Sequence, residues 1–151
     1  MAETTRWLTA EELRAWQGFR RMTRTLDARL ARELTRDSGL SMQDYDVLSA
    51  LTDTPHHRWS AKDLGAHLLW TPSRLSHHLD RMQRRELVRR EPSAEGRFND
   101  VVLTPHGLDA IRAAAPAHVE AVRHSFIDHL APKELATFAR ISDTIMAKLE
   151  D

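Results

Sequence analysis

The period of the apolar residues breaks after Glu86 and turns helical again only at Thr104, and that break constrains the fold more than any other feature. Up to Glu86 they recur at steps of three and four or their sums, the spacing of one helix face. After Glu86 come two short β-like runs, Leu87-Val88-Arg89-Arg90 and Val101-Val102-Leu103. They flank a polar loop from Glu91 to Asp100 that contains Pro92 and Gly96, a pattern that predicts a hairpin. A lone hairpin is at best marginally stable, so this one must pack on helices.

The helices announce themselves by their starts. Thr9-Ala10-Glu11-Glu12 reads as a capping box. Leu13, Trp16, Phe19, Leu26, Leu30 and Leu34 then continue the helical pattern to Asp37-Ser38-Gly39, where Gly39 suits the C-terminal cap. At about 27 residues this helix exceeds the usual globular length, which points to a role between subunits. Ser41-Met42-Gln43-Asp44 opens a second helix, broken at Thr54-Pro55-His56-His57, and Arg58-Trp59 suits a very short strand. Ser60-Ala61-Lys62-Asp63 starts a third helix. Thr71 and Pro72 start a fourth as N-cap and first helical residue, with Leu75, Leu79 and Met82 on its inner face. Thr104-Pro105 begins a long fifth helix, in which Pro116 is expected to produce a kink, and Pro132 begins the last.

Two short helices joined by a tight turn and followed by a hairpin form a winged helix-turn-helix. The fold class is mainly α with a small β wing. The winged lobe spans 40–104, and long helices flank it at 1–39 and 105–151.

Formal charge is zero over 151 residues, so no global basic field exists. The distribution is uneven, however. Arg58 to Arg97 holds nine basic and five acidic residues, whereas the segments before and after it are slightly acidic. A local basic patch on a neutral chain suits a surface that meets phosphate, although a solvated arginine-rich helix has the same composition. Cysteine is absent, which excludes disulfides, thiol redox chemistry and cysteine-ligated metals. No apolar run approaches the roughly 20 residues that span a bilayer, and the N-terminus lacks the apolar stretch of a secretion signal. A cytoplasmic protein with no membrane partner is expected. The nine histidines include no pair at the spacing of two ligands on one helix, and neither metal nor cofactor is expected. Without a nucleophile triad, a glycine-rich phosphate loop or a supported carboxylate pair, no enzyme is expected either.

The second helix of such a motif enters the major groove with its N-terminal residues near base edges. Here its outward face is expected to show Ser73, Arg74, His77, Arg81 and Arg84. Arg74 can chelate a guanine edge, and Ser73, Ser76 or His77 can reach bases or phosphates. Ser60 and Thr71, at the two helix starts, complete the expected contacts on the motif. On the wing, Arg97 near the hairpin tip can enter a minor groove, and Arg89 and Arg90 at its base can hold phosphates. An ordinary amphipathic helix would also be polar outside. A winged helix that binds only protein remains the alternative reading.

Five segments carry a resemblance that covers roughly the whole chain: SMQDYDVLSAL (41–51), SAKDLGAHL (60–68), SRLSHHLDRMQRRELVRR (73–90), EGR (95–97) and VLTPHG (102–107). The chain resembles the multiple-antibiotic-resistance regulator (MarR) family of bacterial transcription factors. The resemblance implies a homodimer joined by its terminal helices, whose two winged lobes grip a pseudo-palindromic operator in double-stranded DNA. It implies a repressor relieved by a small effector, such as a phenolic or anionic aromatic ligand. The recognition helix becomes Pro72–Arg85 and the wing arginine Arg97. Glu95 stands where the family's wing has Asp, and Glu86 where a helix-ending Gly is usual; the lack of cysteine excludes the peroxide-sensing branch. Ligands in the family often sit between the dimerisation helices and the DNA-binding lobe. The corresponding lining here would be Trp16, Phe19, Asp46, Trp70, His78 and Arg90. His78 faces inward and suits either an anionic ligand, a pH sensor or a hydrogen-bonded core position. Trp16 and Phe19 equally suit a dimer core.

Overall fold

A computed structural model of the chain describes residues 5–94, 96 and 99–150. Helix α1 (Ala10–Ser38) starts where the Thr9 hydroxyl accepts the Glu12 N–H (3.2 Å) and Glu12 accepts the Thr9 N–H (2.8 Å). α2 (Met42–Thr52) starts with the same reciprocal box, made by Ser41 and Asp44. A single 3-10 turn at Pro55–His57 leads into β1 (Arg58–Ser60). Ser60 then caps α3 (Ala61–Leu68), and Thr71 caps α4 (Pro72–Arg84). The hairpin strands are β2 (Val88–Pro92) and β3 (Asn99–Leu103), followed by α5 (Pro105–Ser125) and α6 (Pro132–Leu149). α5 remains one helix through Pro116.

The fold is therefore the expected winged helix-turn-helix, with two differences in the wing. Its strands extend to Pro92 and from Asn99, so the connecting loop is shorter than Glu91 to Asp100. The sheet also has three strands in the order β1-β3-β2, all antiparallel. Arg58 pairs with Val102 and Trp59 with Val101, so β1 gives the wing's base a partner on its inner edge. A three-residue strand is too short to show alternation, so its place in the sheet is visible only in the fold.

The chain divides into two compact units. One runs from Glu33 to Glu120 and contains the winged motif. Its core places Leu48, Leu51, Leu64, Leu79, Met82, Val88 and Val101 out of solvent, each burial contributing about 1.5–3 kcal/mol. Leu34, Ile111 and Ala114 join the same cluster, so the unit takes in the end of α1 and most of α5. α5 meets the end of α4 very closely: a side chain at Gly107 would run into the Leu87 carbonyl oxygen. Thr104 secures that approach. Its hydroxyl donates to the Glu86 and Leu87 carbonyls (2.5 and 3.0 Å) and accepts the Gly107 N–H (2.9 Å).

The other unit combines the described residues up to Arg32 with those from Ala121 onward. Within it Trp16 stacks near Phe19 with ring centroids 6.1 Å apart, and Phe126 meets Phe138 edge-on at 5.2 Å. Leu13, Trp16, Phe19, Ile141, Ile145 and Leu149 are exposed on α1 and α6. Among the described residues no helix is long and apolar enough to cross a membrane.

Candidate nucleic-acid interface

The turn between α3 and α4 is built by their ends. Trp70 N–H reaches back to Gly65 O (2.9 Å) and Leu69 N–H to Ala66 O (3.2 Å), with Leu69 left-handed at φ 56°. Thr71 then accepts the Arg74 N–H (3.2 Å) and Pro72 enters helical conformation with no donor to lose. The result aims the first turn of α4 outward. Leu75, His78, Leu79 and Met82 are buried, while Ser73, Arg74, Ser76, His77, Asp80, Arg81 and Arg84 are exposed.

These exposed residues do not share one face. At 100° per residue, Ser73, His77, Asp80 and Arg84 stand opposite the buried stripe. Arg74 and Arg81 lie on one flank, beside His78. Arg74 is laid over the Trp70 ring, 4.4 Å from its centroid, and Arg81 donates to His78 Nδ1 (3.0 Å). Both arginines therefore stand a quarter turn of helix away from the outermost residues with which the sequence groups them, and each is taken up by an inward partner. Asp80, which the sequence reading did not single out, sits on the outward face and pairs with Arg90 (3.0 Å). The Ser60 hydroxyl accepts the Asp63 N–H and donates to the Asp63 carboxylate (2.8 Å), so its first duty is capping.

At the centre of the flank is a buried carboxylate. Asp44 accepts the Ser41 N–H (2.9 Å), His78 Nε2–H (3.0 Å) and Arg85 (2.7 Å). Burial pushes the Asp44 carboxyl up, but hydrogen bonds from Arg85 and the Ser41 N–H, with the charge of Arg85, hold it below the usual range. His78 moves down: burial dominates, Arg81 and Arg85 add to it, and Asp44 only partly opposes them. Asp44 can only accept and Arg81 can only donate, so the ring carries its proton on Nε2 and accepts at Nδ1. His78 is therefore a hydrogen-bonded core residue that ties α2 to α4.

The wing base is charged and internally paired. Arg58 bridges Glu91 (3.0 Å) and Asp100 (3.2 Å), one acid on each hairpin strand, and Arg89 also pairs with Glu91 (2.6 Å). The Glu91 carboxyl lies below its usual range, chiefly through the Arg89 hydrogen bond. Arg90 donates to the Ser76 carbonyl (2.6 Å), which fixes the wing to the outer helix rather than leaving Arg90 free for phosphate. Arg97 and Glu95 lie outside the described residues.

The expected ligand residues are distributed over several places. Trp16 and Phe19 belong to the terminal-helix unit. In the winged unit, Trp70 and Arg90 share a cavity of about 560 Å³ with Ala61, Leu75 and Ser76. Trp70 and His78 share a second cavity of about 550 Å³, lined also by Asp44, Arg74 and Arg81. Asp46 lines neither; it is exposed on α2, and its carboxyl is raised by its dense surroundings against the pull of His118 and Arg74. Among the described residues no three His, Asp or Glu side chains converge on a metal position.

A helix-turn-helix with an exposed polar second helix and a hairpin braced by ion pairs defines a winged-helix DNA-binding protein. Comparison with known proteins gives the family. The MarR family model matches residues 38–97. The structure of AbsC, a MarR family transcriptional regulator from Streptomyces coelicolor, is similar over 97% of this chain and 99% of that one, at 38% identity and a TM-score of 0.91. Sco3205, a MarR family regulator from the same organism solved in complex with DNA, is 33% identical over 99% of this chain and 94% of its own, with a TM-score of 0.93. A MarR family regulator from Silicibacter pomeroyi is 26% identical, covering 95% and 96% of the two chains at a TM-score of 0.74. No curated protein matches the chain. The chain belongs to the MarR family: it is a DNA-binding transcriptional regulator and not an enzyme.

Proposed function

We propose that the protein is a homodimeric repressor of a pseudo-palindromic operator, relieved by a small phenolic or anionic aromatic effector. The observation that carries the DNA reading is the exposed face of α4, where Ser73, His77 and Arg84 stand outward and Arg74 and Arg81 flank them. Thr71 caps this helix and Ser76 lies within it, and we assign them, with Ser60 at the start of α3, Arg89 on β2 and the wing arginine Arg97 that the family resemblance points to, to further DNA contacts. Dimerisation is supported by α1 and α6, whose Trp16, Phe19, Ile141 and Ile145 remain exposed in one chain. An apolar face of that kind marks a partner surface, and a second copy carries the same face.

The effector reading rests on the cavity beside Arg90. Its lining is mostly apolar, and Arg90 Nε is buried without a partner. An aromatic acid seated there would give Nε its acceptor. It would also compete for the guanidinium that now holds Ser76 of the recognition helix, and so loosen that helix from the wing.

The test begins with duplexes selected from a random pool by the wild-type protein, followed by fluorescence anisotropy across a salt series. A palindromic motif bound by two chains, with affinity falling steeply as salt rises, is expected. Titrating hydroxybenzoates should then release the DNA from wild type and not from Arg90→Ala. Selection that enriches no motif would refute the operator reading and leave protein partners as the function of the fold. Equal release from both proteins would refute the Arg90 site alone.

A further inference from the structure

We propose that Trp70 and His78 are positioning residues for DNA recognition: they hold the guanidinium groups of Arg74 and Arg81 in place before DNA arrives. This rests on the reading above in which α4 meets DNA.

Arg74, His78, Arg81 and Arg85 recur at steps of four, three and four, which lines them up along one flank of α4. Trp70 lies just before the helix cap and meets His78 edge-on, with ring centroids 5.4 Å apart and planes at 83°. That arrangement leaves the Trp70 face open, and Arg74 covers it at 4.4 Å. At the far side of the imidazole, Arg81 donates to Nδ1 (3.0 Å).

The chemistry of His78 fixes both contacts. The Asp44 carboxylate only accepts, so Nε2 carries the ring proton and Nδ1 keeps a lone pair. Arg81 can only donate, and this tautomer is the one that receives it. Arg85 and the Ser41 N–H hold the other Asp44 oxygen, so the carboxylate cannot swing away. The ring is thereby locked, and its edge in turn locates the indole beneath Arg74. A buried position that needed only packing would be filled by leucine, as the neighbouring 75 and 79 are. Here both ring nitrogens are used, and the two ends of the chain of contacts are exposed arginines.

Arginine side chains lose much rotamer freedom when they dock, and a guanidinium held on an indole face has lost part of it beforehand. Each tether should therefore contribute about 3- to 10-fold in affinity for specific DNA. Equilibrium binding to the selected duplex would be measured for Trp70→Leu, Trp70→Phe, His78→Leu and His78→Gln. Each leucine variant would also be measured in an Arg74→Ala or Arg81→Ala background, with thermal melting to establish folding. The expected result is loss in Trp70→Leu that vanishes when Arg74 is already alanine, and loss in His78→Leu that vanishes with Arg81. Phenylalanine, which keeps a ring face, and glutamine, which keeps a donor and an acceptor, should recover most of it. If the leucine losses persist undiminished in the alanine backgrounds, the positioning role is wrong while the DNA reading stands. If Arg74→Ala and Arg81→Ala bind the duplex like wild type, the reading of this helix fails and this inference fails with it.

Discussion

Replacing Glu86 by glycine should stabilise the protein. Glu86 follows the end of α4 and sits in the left-handed region at φ 60°. Its N–H reaches Gln83 O (2.9 Å) and the Leu87 N–H reaches Met82 O (3.1 Å), the two bonds of a Schellman motif. Buried Leu87 and Met82 supply the hydrophobic contact that accompanies the motif. The backbone is thus committed to a left-handed residue here, and a residue with a Cβ costs roughly 1–2 kcal/mol in that conformation. A carboxylate at a helix C-terminus adds about 0.3 kcal/mol or more of unfavourable interaction with the helix dipole. Against this, glycine frees the unfolded chain by about 0.5–1 kcal/mol. The balance is a gain of about 1 kcal/mol, or about 2–4 °C in melting temperature for a chain of this size. The assay is urea or thermal unfolding at one fixed protein concentration, since association shifts the midpoint. Glu86→Ala is the control. It removes the charge but keeps the Cβ, so it should recover only a few tenths of a kcal/mol. A glycine variant no more stable than the alanine variant would refute the argument from backbone conformation.

Two further perturbations probe the buried network. Asp44→Ala removes a helix-capping acceptor, worth about 1 kcal/mol, and leaves the buried His78 N–H unpaired, at about 1–3 kcal/mol. Arg85 is half exposed and regains water, so the expected total is about 2–4 kcal/mol by denaturant unfolding, and a loss below about 1 kcal/mol would contradict the network. The pH dependence follows from the histidines. His78 and His118 are both pushed down, mainly by burial, so the folded chain resists protons that the unfolded chain takes up below about pH 6.5. Stability should therefore fall as pH drops from 7 through that window. The Asp46 carboxyl, raised by partial desolvation against its neighbours although its surface is exposed, opposes the slope at its lower end. Asp44 is depressed, so its contribution persists through this range and is lost only below the unfolded carboxylate value of about 4. A flat stability profile between pH 5 and 7 would show that neither histidine resists protonation in the fold.

What could be read from the sequence was local. The boxes at Thr9–Glu12 and Ser41–Asp44, and the caps at Ser60 and Thr71, each close over three residues, so a short stretch contains both partners. The inner stripe of Leu75, Leu79 and Met82 shows itself by helical period alone. The contacts that organise the interface join residues far apart in the chain. His78 meets Asp44 across 34 residues, Arg85 meets it across 41, and Arg58 meets Asp100 across 42. Composition counted those arginines as one basic patch, yet Arg58, Arg85, Arg89 and Arg90 all spend charge on acids within the lobe. What remains outward on α4 is a smaller set than the patch suggested, and two of its arginines are held by an indole and an imidazole. One signal for this was present in the sequence. The steps 74, 78, 81 and 85 place the arginines on the stripe of an inward-facing histidine rather than opposite the core. Reading that stripe required asking what the histidine does with its second nitrogen, and the answer depends on a carboxylate from another helix.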